Sequence, residues 1–201
     1  MKRKIIYIHM IFLIIIVLIL SILYRNYSIK RTSFEKASEN LKVKLCSEIQ
    51  SAVQLTDYMI SNFDKDSFSE GNVLLLKYKS KVIYESIRFI LLSVDLDMDD
   101  DYFVRLHSIE STFETLFLFL NEVYKYIKDG GTHFNLPNSN KMIIKTKKDI
   151  YNELLLYHDL FSKLDINNKG NYKGIELFNR IIEKWDTKKA ELIAYPYERI
   201  K

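Results

Sequence analysis

The stretch that decides the architecture is IIYIHMIFLIIIVLILSILY, residues 5–24, in which only His9 and Ser21 are clearly polar. Twenty residues at 1.5 Å rise span about 30 Å, the thickness of a bilayer's hydrocarbon core. A cleaved signal peptide has a shorter apolar region, about 7–15 residues, and small residues just before the cut. The run ends Ser21-Ile22-Leu23-Tyr24-Arg25, without such a pair. It reads as an uncleaved membrane anchor, because a buried helix of a soluble domain would show one polar face.

Outward from this run, both flanks are basic. Lys2, Arg3, Lys4 and the amino terminus stand on one side, and Arg25, Lys30, Arg31 and Lys36 on the other. The positive-inside rule is therefore nearly balanced. Four charges in a four-residue tail are costly to translocate, and Glu35 and Glu39 dilute the far flank, so the C-terminal domain is expected on the extracytoplasmic side. The inverted topology, a cytoplasm-facing regulator or immunity-type protein, is the alternative.

The charge is unevenly distributed. Residues 1–31 hold six Lys and Arg and no acid, whereas the remaining 24 of the 30 basic residues face all 26 acidic ones. The basic character belongs to the anchor's flanks and not to a nucleic-acid-binding domain. One cysteine, Cys46, excludes an intrachain disulfide framework and any multi-cysteine metal site. Beside the first apolar stripe it reads as a small buried or boundary residue.

Five Gly and two Pro in 201 residues, where ordinary usage gives about 24, argue against a many-turned β architecture. The expected fold is all-α: an N-terminal transmembrane helix with basic flanks, residues 1–31, followed by an up-and-down bundle of about five helices, residues 32–201. No Gly or Pro interrupts residues 1–69, so the anchor either continues into the first bundle helix or restarts at Thr32, which has capping-box spacing to Glu35. Phe34, Leu41, Leu45, Ile49, Ala52, Met59 and Phe63 mark that first helix, residues 33–63.

Ser67 and Glu70 repeat the capping-box spacing before a second stripe of Val73, Leu76, Ser80, Ile83, Ile87, Ile90 or Leu91, and Val94. Acids from Asp95 to Asp101 precede a third, Phe103, Leu106, Glu110, Phe113, Phe117, Leu120, Tyr124 and Ile127, which Gly130 and Gly131 end. The unbroken run Leu116–Leu120 is expected at the most buried helix centre. Thr132–Asn140 reads as a loop. Ile143, Ile150, Leu154, Phe161 and Leu164 mark a fourth helix, 141–164, and Ile175, Phe178, Ile182, Trp185 and Ile193 a fifth. Short connections imply antiparallel neighbours.

The chemistry-bearing motifs are few. His107, Glu110 and Glu114 share one helix face and could supply half of a metal site, but neither Glu-x-x-His nor His-Glu-x-x-His occurs. There is no phosphate-cradling glycine loop and no nucleophile elbow. Lys141, Lys145, Lys147 and Lys148 form a basic helix start that suits a solvated face better than an anionic ligand.

The segment from Asp165 to Glu176 places Asp165 at position 1, Asn167 at 3, Gly170 at 6 and Glu176 at 12, and so resembles an EF-hand calcium loop. Asp165, Asn167 and Glu176 are the metal-ligand candidates that this resemblance implies. Lys169 stands where a fifth-position oxygen is needed and Tyr172 replaces the usual aliphatic residue, so the loop reads first as an ordinary polar connection between helices. No cofactor and no catalytic residue stands out, which leaves an enzyme whose site is assembled across helices as a third alternative. The function expected is a membrane-anchored binding, sensing or scaffold module whose partners are the membrane and another protein or a small ligand, with no nucleic acid.

Overall fold

A computed structural model describes residues 2–63, 69–93, 99–129, 133–135, 142–144, 147–164 and 174–194 of the chain. The chain divides into two compact units, residues 1–40 and 41–201. Six α-helices are present among the described residues: α1 (Lys2–Ser61), α2 (Glu70–Ser93), α3 (Asp100–Asp129), α4 (Lys147–Phe161), α5 (Ile175–Lys184) and α6 (Thr187–Ala194). The fold is all-α, a long apolar N-terminal helix followed by a helical bundle.

The first unit is helical throughout its described length. Thr32 does not restart the helix: its hydroxyl donates to the Ser28 carbonyl at 3.0 Å. Glu35 reaches back to Arg31 Nε at 2.9 Å instead of capping. With no Gly or Pro to break the ladder, α1 stays unbroken across that position. Residues from Leu13 to Leu23 are exposed on every side of the helix, Leu18 by 57% and Leu23 by 59%. Among the described residues this is the one helix long and apolar enough to cross a membrane.

In the second unit, α3 is the central element, packed on α2, α5 and α6. The α2–α3 pair is antiparallel, since Tyr124 bonds Glu70 at 3.1 Å, Lys77 bonds Asn121 at 2.7 Å and Arg88 bonds Glu110 at 2.8 Å. The α2 stripe is buried as its spacing predicts: Val73, Leu76, Ser80, Ile83, Ile87 and Ile90 have no exposed surface. Its N-cap is Ser69, whose Oγ accepts from the Asn72 N–H at 3.3 Å, and α3 is capped by Asp99 through the Asp101 N–H at 3.2 Å. Ser67 and Val94 lie outside the described residues.

The buried face of α3 is Leu106, Ile109, Phe113, Leu116, Phe119, Leu120 and Val123. Two expectations are corrected there. Phe103 is half exposed, and Phe117 is only partly buried because the run from Leu116 to Leu120 turns once round the helix and two of its members must face away from the core. The first stripe is likewise buried from Leu45 to Met59, with Ile49, Ala52 and Met59 at 0%, whereas Phe34 is exposed and Leu41 and Phe63 are only partly covered.

Residues 133–135 and 142–144 depart from the sequence reading. His133–Asn135 and Met142–Ile144 form a two-stranded antiparallel ladder in the register His133↔Ile144, Phe134↔Ile143, Asn135↔Met142. The expected loop 132–140 thus contains a strand, and the fourth helix begins at Lys147 and not at 141. Three consecutive apolar residues, Met142-Ile143-Ile144, carry no period of their own and pair where a partner strand is offered. The helix ends in a 3₁₀ turn, Ser162–Leu164.

The expected fifth helix is two. Trp185 takes an extended conformation, φ −67° and ψ 123°, and ends α5. Asp186 then caps α6 by accepting from the Lys189 N–H at 3.1 Å. Arg105 Nη1 donates to the Glu183 and Trp185 carbonyls at 2.9 and 3.1 Å, occupying acceptors that the helix end leaves unpaired.

Candidate functional site

The polar cluster with the most developed geometry lies between α2 and α3. Glu110 falls on the α3 face that packs inward, so its side chain is 5% exposed, and a carboxylate there requires counter-charge and hydrogen bonds. Arg88 supplies both. It projects from α2 over the Tyr84 ring, 5.4 Å from the centroid, and brings Nε and Nη2 to Glu110 Oε1 at 2.8 and 2.6 Å. Its Nη2 also meets Glu114 Oε2 at 3.1 Å. His107 Nδ1 lies 3.0 Å from Glu110 Oε2, so each oxygen of the buried carboxylate has a nitrogen neighbour.

The electrostatics follow from this arrangement. Hydrogen bonds to Glu110 and then to Glu114 hold the Arg88 guanidinium above its ordinary value. Burial, and next the charges of Glu85 and Glu114, push the Tyr84 hydroxyl up. The three residues read in the sequence as half of a metal site are therefore gathered, but round a guanidinium. Arg88 engages both carboxylates, so the acids that a metal ion would need are already paired to a guanidinium.

A groove of about 420 Å³ opens beside the cluster, lined by Arg88, Leu91 and Leu92 of α2 and by Phe103, His107, Glu110 and Glu114 of α3. Across His107 and Ser111 it adjoins a smaller hollow of about 130 Å³ between α3 and α6, lined also by Val104, Thr187 and Glu191. Leu92 is 83% exposed and Phe103 46%. The groove thus combines ion-paired polar side chains with exposed apolar ones, a surface suited to holding a ligand or a partner side chain.

Comparison with protein-family models, with curated proteins and with solved structures finds no match to this chain. The site therefore has to be read from its own geometry.

Of the calcium-ligand candidates, Glu176 is an exposed residue in the first turn of α5, while Asp165 and Asn167 lie outside the described residues. Among the described residues no group of three His, Cys, Asp or Glu side chains is placed to hold a metal ion. The loop's described end serves packing. Gly174 precedes α5 at φ 63°, a conformation that favours glycine. Its carbonyl accepts from Cys46 Sγ at 3.6 Å, and a Cβ there would stand 3.5 Å from Val43.

Cys46 is 3% exposed, and burial pushes its thiol up to about 11, which fits the small buried residue read from the sequence. Of the basic helix start, Lys147 and Lys148 are described and exposed, and Lys147 Nζ lies 5.2 Å from the centre of the Phe63 ring. Lys141 and Lys145 lie outside the described residues.

Sequence reading missed Arg88 as the organiser of this cluster. The signal was present: an acid inside the apolar stripe of α3 and an arginine within the apolar stretch of α2 each need a partner, and antiparallel packing of the two helices sets them side by side.

Proposed function

We propose that the chain is a single-pass membrane protein whose helical domain binds another protein or a small ligand on the extracytoplasmic side, in a sensing, scaffold or accessory role. The observation that carries this reading is the belt of exposed side chains from Leu13 to Leu23, apolar apart from Ser21. Left in water, such a helix exposes far more contiguous apolar area than soluble monomers tolerate, and a bilayer removes it. The orientation rests on charge. Lys2, Arg3 and Lys4 form an undiluted cationic cluster on one side, whereas Arg25, Lys30 and Arg31 are spread over seven residues and Arg31 is paired with Glu35. The binding role rests on the groove beside Arg88, which sets the ion-paired Arg88, Glu110 and Glu114 together with the apolar Leu91, Leu92 and Phe103.

Membrane insertion is tested by alkaline extraction of membranes, which should leave the chain in the pellet. Topology is tested with a single reactive cysteine: Asn152, exposed on α4, is changed to Cys in a Cys46→Ala background. Labelling of intact cells by an impermeant maleimide is expected. Labelling only after lysis would invert the topology and favour a cytoplasm-facing regulator.

A further inference from the structure

The outward face of α2 carries an apolar stripe in a regular rhythm. Leu75, Tyr78, Val82, Glu85, Phe89 and Leu92 follow one another at alternating spacings of three and four, the seam positions of a heptad pattern. The opposite face of α2 is already spent on the core, yet Leu75 is 47% exposed, Tyr78 65%, Phe89 47% and Leu92 83%, with Val82 half-buried. At 1.5 Å per residue the stripe is about 26 Å long. Its one charge, Glu85, lies 3.7 Å from Lys81, and both side chains are about half exposed.

We infer that this face of α2 is the docking surface for the antiparallel α2 of a second copy of the chain. A two-fold axis between Ile83 and Tyr84 sets Leu75 against the partner's Leu92, Tyr78 against the partner's Phe89, and Val82 against the partner's Glu85. Every large apolar residue at the two ends of the seam then meets an apolar partner, as a self-complementary two-fold contact demands. The same axis brings Glu85 level with the partner's Lys81, offset by about 1.5 Å along the helix, whereas its own Lys81 is offset by about 6 Å. Two symmetric ion pairs therefore straddle the axis. In the parallel arrangement Glu85 would face its own copy, a like-charge contact within the seam. The contact is the same whichever side of the membrane the domain lies on, and it shares Leu92 with the groove beside Arg88.

The test uses the full chain in detergent micelles and reads protein mass by sedimentation, with helical circular dichroism confirming that each surface variant is folded. The unaltered chain is expected to dimerise. Lys81→Glu and Glu85→Lys each place like charges across the axis and should each raise the dimer dissociation constant at least about fivefold. An equimolar mixture of the two variants should restore dimers. Because each variant has lost its own intrahelical pair, that restoration can come only from contacts between copies. Chains carrying Leu75→Cys should form disulfides with chains carrying Leu92→Cys, and neither should cross-link with itself. A monomeric unaltered chain, failure of the mixture to restore association, or self-cross-linking of Leu92→Cys would overturn the proposal.

Discussion

Arg88, half exposed on α2, holds the carboxylate of Glu110, buried on α3, at 2.6 Å, so a charge inside the bundle is compensated by one at its surface. Removing the surface member strands the inner one. Arg88→Met should destabilise the domain by about 2 kcal/mol, less than the roughly 3–5 kcal/mol of a fully enclosed pair because water reaches the site. Arg88→Met combined with Glu110→Gln should recover most of that loss. Urea unfolding of the detergent-solubilised chain, followed by fluorescence, checks both values; equal losses in the single and double variants would disprove the compensation.

Phe113 is fully buried, stacked on Phe161 at 5.3 Å between centroids and 6.4 Å from Trp185. Phe113→Ala should cost about 3–5 kcal/mol, whereas Phe117→Ala, at a partly covered position beside Tyr84, should cost about half as much. Unfolding midpoints of the two variants, compared side by side, establish the order.

The thiol of Cys46, buried and held up to about 11, should react with a disulfide reagent at neutral pH only as fast as the domain opens. Stoichiometric labelling should appear at once in denaturant. Rapid labelling of the folded chain would show that the contact between α1 and Gly174 is loose.

Asp186 combines an ion pair to Lys163 at 2.7 Å with the N-cap of α6, and these, Lys163 first, hold its carboxyl below the usual value of 3.8. A depressed value in the folded state means that the contribution is complete above the unfolded value and is lost as pH falls through the folded one. Asp186→Ala should therefore cost about 1 kcal/mol at pH 7, and the difference from the unaltered chain should shrink below about pH 4. Stability measured against pH on both proteins gives the comparison.

How much of this was legible in the chain depended on which interactions are local. The α2 stripe was readable residue by residue, because Val73, Leu76, Ser80, Ile83, Ile87 and Ile90 repeat at helical spacing between polar neighbours. The same rule failed at Leu116–Leu120, where every residue is apolar and the period vanishes; only packing against α2, α5 and α6 selects the inward face. The ladder of His133–Asn135 with Met142–Ile144 was hidden because strand pairing is made between segments. The break at Trp185 leaves a local trace, Asp186-Thr187 in N-cap position, which the longer apolar spacing from Ile182 to Ile193 obscured. The Arg88 cluster was half visible: its α3 members share one face in sequence, and the guanidinium arrives from another helix.

Trp185 is the chain's one tryptophan. Its ring is 2% exposed, its indole N–H donates to Ser108 Oγ at 3.1 Å, and it faces Phe113 and Phe161 where α3, α4 and the α5–α6 junction meet. All tryptophan emission from the full chain therefore originates at a single dry convergence point of the bundle, with none from residues 1–40. A spectroscopist gains an intrinsic, site-specific beacon: under excitation selective for tryptophan, a red shift reports parting of those helices.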